Sequence, residues 1–195
     1  QQSAEKVAQF HAYQRIALLI IMLTLIAEAL LIFMPLIGRV ERYADKLEGL
    51  AATDPLTGVN NYRSFMAKGA KEIKRSIRLV KPLSVCVMDL DHFKAVNDRY
   101  GHNAGDIVLK EFAEIVLKCL RLEDDFGRIG GEEFALILPH TKLSDAHTVA
   151  ERIRRVVEIS PIRIENGQEI YITTSIGVAE ANPQALTINP VMTAA

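Results

Sequence analysis

From Ile16 to Ile37 the chain reads IALLIIMLTLIAEALLIFMPLI, 22 residues in which Glu28 is the only charge. At about 1.5 Å per helical residue this stretch reaches about 33 Å, enough to cross a hydrocarbon core of about 30 Å, so a transmembrane helix is expected. A cleaved signal peptide fits less well, because the apolar run is too long and no small-residue cleavage site follows it. Over 38–53 the pattern changes: Val40, Tyr43/Ala44, Leu47 and Leu50/Ala51 recur at spacings of three and four between charges. That is the pattern of a linker helix, either a dimerising seam or a solvated connector. Beyond Asp54 the chain reads as a compact α/β unit, 54–195. Tyr62, Phe65, Met66, Ile73 and Ile77 mark one face of a helix whose other face carries Lys68, Lys71, Lys74, Arg75 and Arg78, and Pro82 closes it.

Leu83 to Met88 is a near-continuous apolar run, expected as a strand buried on both faces. A helix from Phe93 to Tyr100, a Gly-containing loop GHNAGD and a longer helix with Ile107, Val108, Phe112, Ile115, Val116 and Cys119 inward follow. Two strands, Phe126–Ile129 and Phe134–Leu138, flank Gly130-Gly131, a pair suited to a positive-φ hairpin turn. A helix from Ser144 to Ile159 leads to strands Ile162–Glu165 and Ile170–Ala179 around Asn166-Gly167. The order after the first helix is βααββαββ.

With 23 Lys+Arg against 24 Asp+Glu the net charge is -1, which argues against nucleic acid as a partner. Mean hydropathy of +0.13 is high for a chain with 24% charge and is explained by the apolar run at 16–37. Cys86 and Cys119 sit in apolar runs and read as core residues, which excludes a disulfide scaffold. Lys6 and Arg15 before the span, against Arg39, Arg42 and Lys46 after it, place the C-terminal part on the cytoplasmic side by a small margin. Glu28 is either a carboxylate facing a partner helix or an acid tolerated by an otherwise apolar span. The start at Gln1-Gln2, without an initiator methionine, is read as the end of an upstream region, 1–15.

The candidate chemistry lies in the α/β unit. Asp89 and Asp91 end the buried strand, and alternation would point both carboxylates the same way at its carboxyl end, where α/β sheets bind ligands. Two hard oxygen ligands there suit magnesium. Glu132 and Glu133 follow a glycine tip, Gly130-Gly131, that a polyanion could approach closely. Lys94, Asn97, His102 and Asp106 add a cation, an amide, an imidazole and a carboxylate just after the strand. Acids for a divalent metal, an open tip for phosphate and polar groups for a base are the parts of nucleotide chemistry. No G-x-x-x-x-G-K-[ST] or G-x-G-x-x-G occurs, so the phosphate site is of another design.

Gly130-Gly131-Glu132-Glu133-Phe134 resembles the signature of GGDEF domains, the bacterial diguanylate cyclases, in a GGEEF form. DPLTG at Asp54–Gly58, DLDHFKAVND at Asp89–Asp98, YGHNAGD at Tyr100–Asp106, RIGGEEF at Arg128–Phe134 and SIGVA at Ser175–Ala179 occur in the family's order. The resemblance implies a ferredoxin-like βααββαβ palm of the α+β kind. It implies condensation of two GTP into cyclic di-GMP and pyrophosphate across an antiparallel homodimer, at a bacterial inner membrane with the catalytic domain cytoplasmic. Asp89, the carbonyl of Leu90, and one or both of Glu132 and Glu133 would hold Mg2+, with Mn2+ an alternative, and Glu132 would assist deprotonation of the 3′-hydroxyl. Lys94 would neutralise phosphate charge, Asn97 and Asp106 would read guanine with His102 beside them, and Gly130 and Gly131 would admit the phosphates. Asp91 is the weaker member of its pair.

Arg121 and Asp124 stand at the spacing of the family's inhibitory R-x-x-D product site, which Arg152 could complete. Val59 and Tyr62 depart from the family pattern. Its closing helix is absent before the chain stops at Met192-Thr193-Ala194-Ala195, which suggests a C-terminally truncated chain. The alternative reading is a non-catalytic module that binds cyclic di-GMP or GTP; the intact acids at Asp89, Glu132 and Glu133 speak against it.

Overall fold

The computed structural model describes residues 22, 52–165, 167–181, 188, 192–193 and 195. The chain divides into two compact units, Gln1–Leu50 and Ala51–Ala195, and the described residues other than Met22 all belong to the second. The apolar run at 16–37 and the linker at 38–53 lie, but for Met22 and residues 52–53, outside the described residues. Among the described residues no helix is long and apolar enough to cross a membrane.

The described elements are α1 (Tyr62–Leu79), β1 (Leu83–Leu90), α2 (Phe93–Tyr100), α3 (His102–Lys118), β2 (Asp125–Arg128), β3 (Glu133–Pro139), α4 (Leu143–Ile159), β4 (Ile162–Arg163), β5 (Glu169–Ile170) and β6 (Thr174–Glu180). β1, β2, β3 and β6 form one antiparallel sheet in the order β2-β3-β1-β6, and β4 and β5 form a small separate hairpin. β1 is central, which accounts for its apolar run: alternate residues feed two different cores. Cys86, Met88 and Leu90, with Phe134, Leu136 and Leu138, pack against Phe93 of α2, Val108, Phe112 and Val116 of α3 and Ile153 and Val157 of α4. Val85, Ala135, Ile137 and Ala179 face the other way, toward Phe65 and Ile73 of α1 and toward Ile188. Phe134 anchors the larger core, 4.9 Å from the Phe112 ring and stacked 5.5 Å from Phe126.

Four expectations are corrected. The GHNAGD loop is helical from His102 onward: Gly101, at φ 85°, makes the whole turn, and Ala104 and Gly105 are buried in the first turns of α3. The strand expected over Ile170–Ala179 divides into β5 and β6, which belong to different sheets. Tyr62 and Ile77 are exposed, at 54% and 42%, because α1 lies on the sheet through a narrower stripe of Phe65, Gly69 and Ile73. At the hairpin tip neither Gly130 nor Gly131 has a positive φ; among the described glycines that geometry belongs to Gly58, Gly101 and Gly167.

Entry into α1 is built by polar side chains. Asn61 caps the helix by accepting from Ser64 N–H at 2.9 Å. Asn60 extends the sheet edge: its N–H donates to Phe126 O at 3.2 Å and its carbonyl accepts from Arg128 N–H at 2.9 Å. Gly127 is required there, since a Cβ would lie 2.8 Å from Phe65 and 2.9 Å from the Asn60 carbonyl.

Candidate functional site

Three sheet strands meet at the carboxyl end of β1, where Asp89 stands opposite Glu133 of β3 and Ser175 of β6. The Leu90 N–H donates to Glu132 O at 3.4 Å. Leu90 and Glu132 thus occupy the hydrogen-bonded position, and Asp89 and Glu133 form the narrow pair in which side chains lie closer. Both are exposed. Like charges directly opposite repel, and among the described residues no cation pairs with either, so the end of the sheet is arranged to gain from a bound cation.

No three of His, Cys, Asp and Glu among the described residues converge into a closed cage. Two carboxylates with the Leu90 carbonyl beside them instead make an open, all-oxygen set, which suits a hard cation that also takes substrate phosphates. Glu132 is half-buried and lies outside the cross-strand pair, its carbonyl engaged by Leu90. Asp91 does not join the set. β1 has ended, and the Asp91 carboxylate accepts from Thr173 Oγ1 at 2.6 Å and Ser175 Oγ at 2.7 Å. Those two hydroxyls hold its pKa below the usual carboxylate range.

The turn between β2 and β3 is closed by Ile129 and Gly130 N–H groups donating to Glu133 O at 2.9 and 3.2 Å. Its glycines answer to space and not to dihedral angle. A Cβ on Gly130 would lie 2.2 Å from Glu133 Oε2, whereas Gly131 faces open space where a polyanion can approach the backbone. Arg128 fixes this tip, donating from Nη2 and Nε to Gly131 O at 2.6 and 3.2 Å and from Nη1 to Asp54 Oδ1 at 3.2 Å. Asp54 in turn accepts from Thr57 N–H at 2.9 Å and Thr57 Oγ1 at 2.7 Å. Burial would raise the Asp54 pKa, but Thr57 and Arg128 together hold it below the ordinary value. Sequence reasoning assigned neither Asp54 nor Arg128 a role. The one local signal was Asp54-x-x-Thr57, the spacing of a side chain that closes its own turn.

α2 and α3 pack together as a helical hairpin. Lys94 and Asn97, three residues apart, lie on one face of α2. Asn97 Oδ1 occupies the space a Cβ at Gly105 would take, 2.0 Å from that point, which sets the amide against α3 one residue from Asp106. Lys94, His102 and Asp106 are exposed. His102 has other neighbours: it lines a cavity of about 420 Å³ with Tyr100, Ile107, Ile164 and Glu165.

At the far end of β2 the Arg121 N–H donates to Asp124 Oδ2 at 2.8 Å and the Asp124 N–H to Arg121 O at 3.2 Å, a compact turn. Arg152 of α4 donates to Cys119 O at 2.8 Å and lies within electrostatic reach of Asp124. Burial pushes the Asp124 pKa up, against the lowering effects of the Arg121 N–H and the two guanidinium charges. A groove of about 670 Å³ opens beside Arg152. The four residues of β2 separate this cluster from the glycine tip.

The chain matches the family model described as diguanylate cyclase, GGDEF domain, over residues 51–195. It is 42% identical over 147 residues to the response regulator PleD of Caulobacter vibrioides, covering 71% of this chain and 32% of that protein. It is 50% identical over 100 residues to diguanylate cyclase A of Treponema denticola, covering 51% and 27%. The chain thus spans about a third of the length of these curated relatives. The crystal structure of the GGDEF domain of DgcB from Caulobacter crescentus, in complex with c-di-GMP, superposes with a TM-score of 0.68 at 30% identity, covering 72% of this chain and 80% of that one. With the antiparallel palm, the strand-end acids and the glycine tip in place, the chain belongs to the GGDEF diguanylate cyclase family.

Proposed function

We propose that the unit formed by residues 51–195 is a diguanylate cyclase that condenses two GTP into cyclic di-GMP with release of pyrophosphate, working as a homodimer. The observation that carries this reading is the Asp89/Glu133 cross-strand pair, two unneutralised carboxylates beside an open glycine tip. Mg2+, or Mn2+, would be held by Asp89, Glu133 and the Leu90 carbonyl, with Glu132 adjoining; when bound it supplies charge for the phosphate oxygens and lowers the pKa of a coordinated hydroxyl.

The protein's own groups do the rest. Gly131 leaves the backbone open to phosphate, and Arg128 holds the tip rigid by its bonds to the Gly131 carbonyl. Lys94, free of any ion pair among the described residues, is placed to offset phosphate charge. Asn97 offers its amide N–H to the acceptor edge of guanine and Asp106 its carboxylate to the donor edge. Glu132 accepts the proton of the attacking 3′-hydroxyl, whose oxygen then bonds the α-phosphate of the second GTP as pyrophosphate leaves. Two GTP facing each other require two copies of the site, hence the homodimer.

Arg121, Asp124 and Arg152 form a second polar cluster with a fork and a carboxylate, which suits cyclic di-GMP as an inhibitory product. The apolar run at 16–37 would anchor the enzyme in a bacterial inner membrane with this unit on the cytoplasmic side. The test is pyrophosphate release from GTP against ATP, each with magnesium. Release from GTP alone is expected, and equal release from both would refute the assignment of Asn97 and Asp106 to guanine.

A further inference from the structure

The C-terminal end of α1 carries a surface that GTP chemistry does not use. Between Tyr62 and Pro82 stand seven Lys or Arg against one carboxylate, Glu72, a local charge of +6 in a chain of net charge -1. Lys68 pairs with Asp125 and Arg75 with Glu72. Lys71, Lys74, Arg78 and Lys81 are exposed and pair with no carboxylate among the described residues. At the same end Ile77, Leu79 and Val80 are 42%, 45% and 90% exposed, and Val80 stands at φ 51° as the left-handed cap of the helix. A groove of about 340 Å³ runs beside them, lined by Ile77, Val80, Lys81, Pro82, Lys142 and Glu180, whose carboxylate accepts from the Leu143 N–H at 2.8 Å.

Exposed aliphatic side chains beside exposed cations are the composition of a surface that meets lipid. Nucleic acid would be gripped by cations with aromatic side chains for stacking, and no aromatic residue occurs from Met66 to Pro82. We propose that this end of α1 docks on an anionic lipid leaflet, with Leu79 and Val80 entering the headgroup layer and Lys74, Arg78, Lys81 and Lys142 meeting lipid phosphates.

The chain contains no tryptophan, so Val80→Trp in the full chain provides a unique reporter. It is reconstituted in vesicles of phosphatidylcholine alone or with about 30 mol% phosphatidylglycerol, enough to give a negative surface potential. The expected result is blue-shifted emission and roughly fivefold lower acrylamide quenching in the anionic vesicles only, reversed by salt and by Lys74→Glu with Arg78→Glu and Lys81→Glu. Identical emission in both vesicles overturns the proposal. A shift produced by added RNA, with none from lipid, overturns it in favour of nucleic acid. Leu79→Trp repeats the measurement where the first variant does not fold.

Discussion

Glu132 differs from its neighbours in being half-buried and outside the cross-strand acid pair, the position of a group that moves a proton while other carboxylates hold charge. Glu132→Gln keeps shape and volume and removes the basic oxygen, so turnover is expected to fall by about 100-fold or more with an unchanged melting temperature. Near-normal turnover in that variant removes Glu132 from the mechanism. Arg121→Ala removes the guanidinium while keeping the backbone bonds of the turn that holds Asp124, and should relieve inhibition by cyclic di-GMP; an unaltered inhibition curve would rule the cluster out as a product site.

Asp54 makes a prediction about pH. Its folded pKa lies below its unfolded value near 3.8, so the stability it contributes is complete above that value and is lost as pH falls below it through the folded pKa. The acid limb of melting temperature against pH should therefore be shallower in Asp54→Asn than in the parent, and superimposable limbs would deny Asp54 that role. The Asp54–Arg128 contact links residues 74 apart and leaves no trace in periodicity, which is why the sequence did not reveal it. The acids at Asp89, Glu132 and Glu133 were legible because strand alternation and the glycine tip are local. Cys86 was also legible as core, and burial pushes its thiol up to about 12, so it should resist thiol reagents in the native state.

At the scale of elements, helices and strands were readable wherever one periodicity ran unbroken, as in α2, whose bounds the sequence set at Phe93 and Tyr100. The start of α3 was misread because glycine, asparagine and aspartate usually mark turns. Here Gly105 is small for another reason: it makes room for Asn97. Gly105→Ala should therefore leave the fold nearly intact, the clash falling on the end of a side chain, while raising KM for GTP by roughly tenfold as Asn97 swings away. An unchanged KM would detach Asn97 from substrate. The same logic explains Gly130, where space for Glu133 outweighs turn geometry. The division between β5 and β6 was hidden because Ile170, Ile172, Ile176 and Val178 keep the two-residue alternation of a single strand across it.

For the whole molecule, the palm places two polar clusters at opposite ends of β2, acids and glycine tip at one and the Arg121–Asp124 turn at the other. One polarised unit can offer substrate and product separate sites, but it presents a single set of strand-end acids. Specific activity should consequently rise with chain concentration, and further when Val40 to Leu50 is replaced by a strong dimeric coiled coil; a fully active monomer would contradict the two-subunit scheme. The central claim is tested most directly by chromatography of nucleotides after the chain, in detergent, has been incubated with GTP and magnesium. One cyclic di-GMP should form for every two GTP consumed, and none with Glu132→Gln. Unreacted GTP in the presence of folded, dimeric chain would contradict the account.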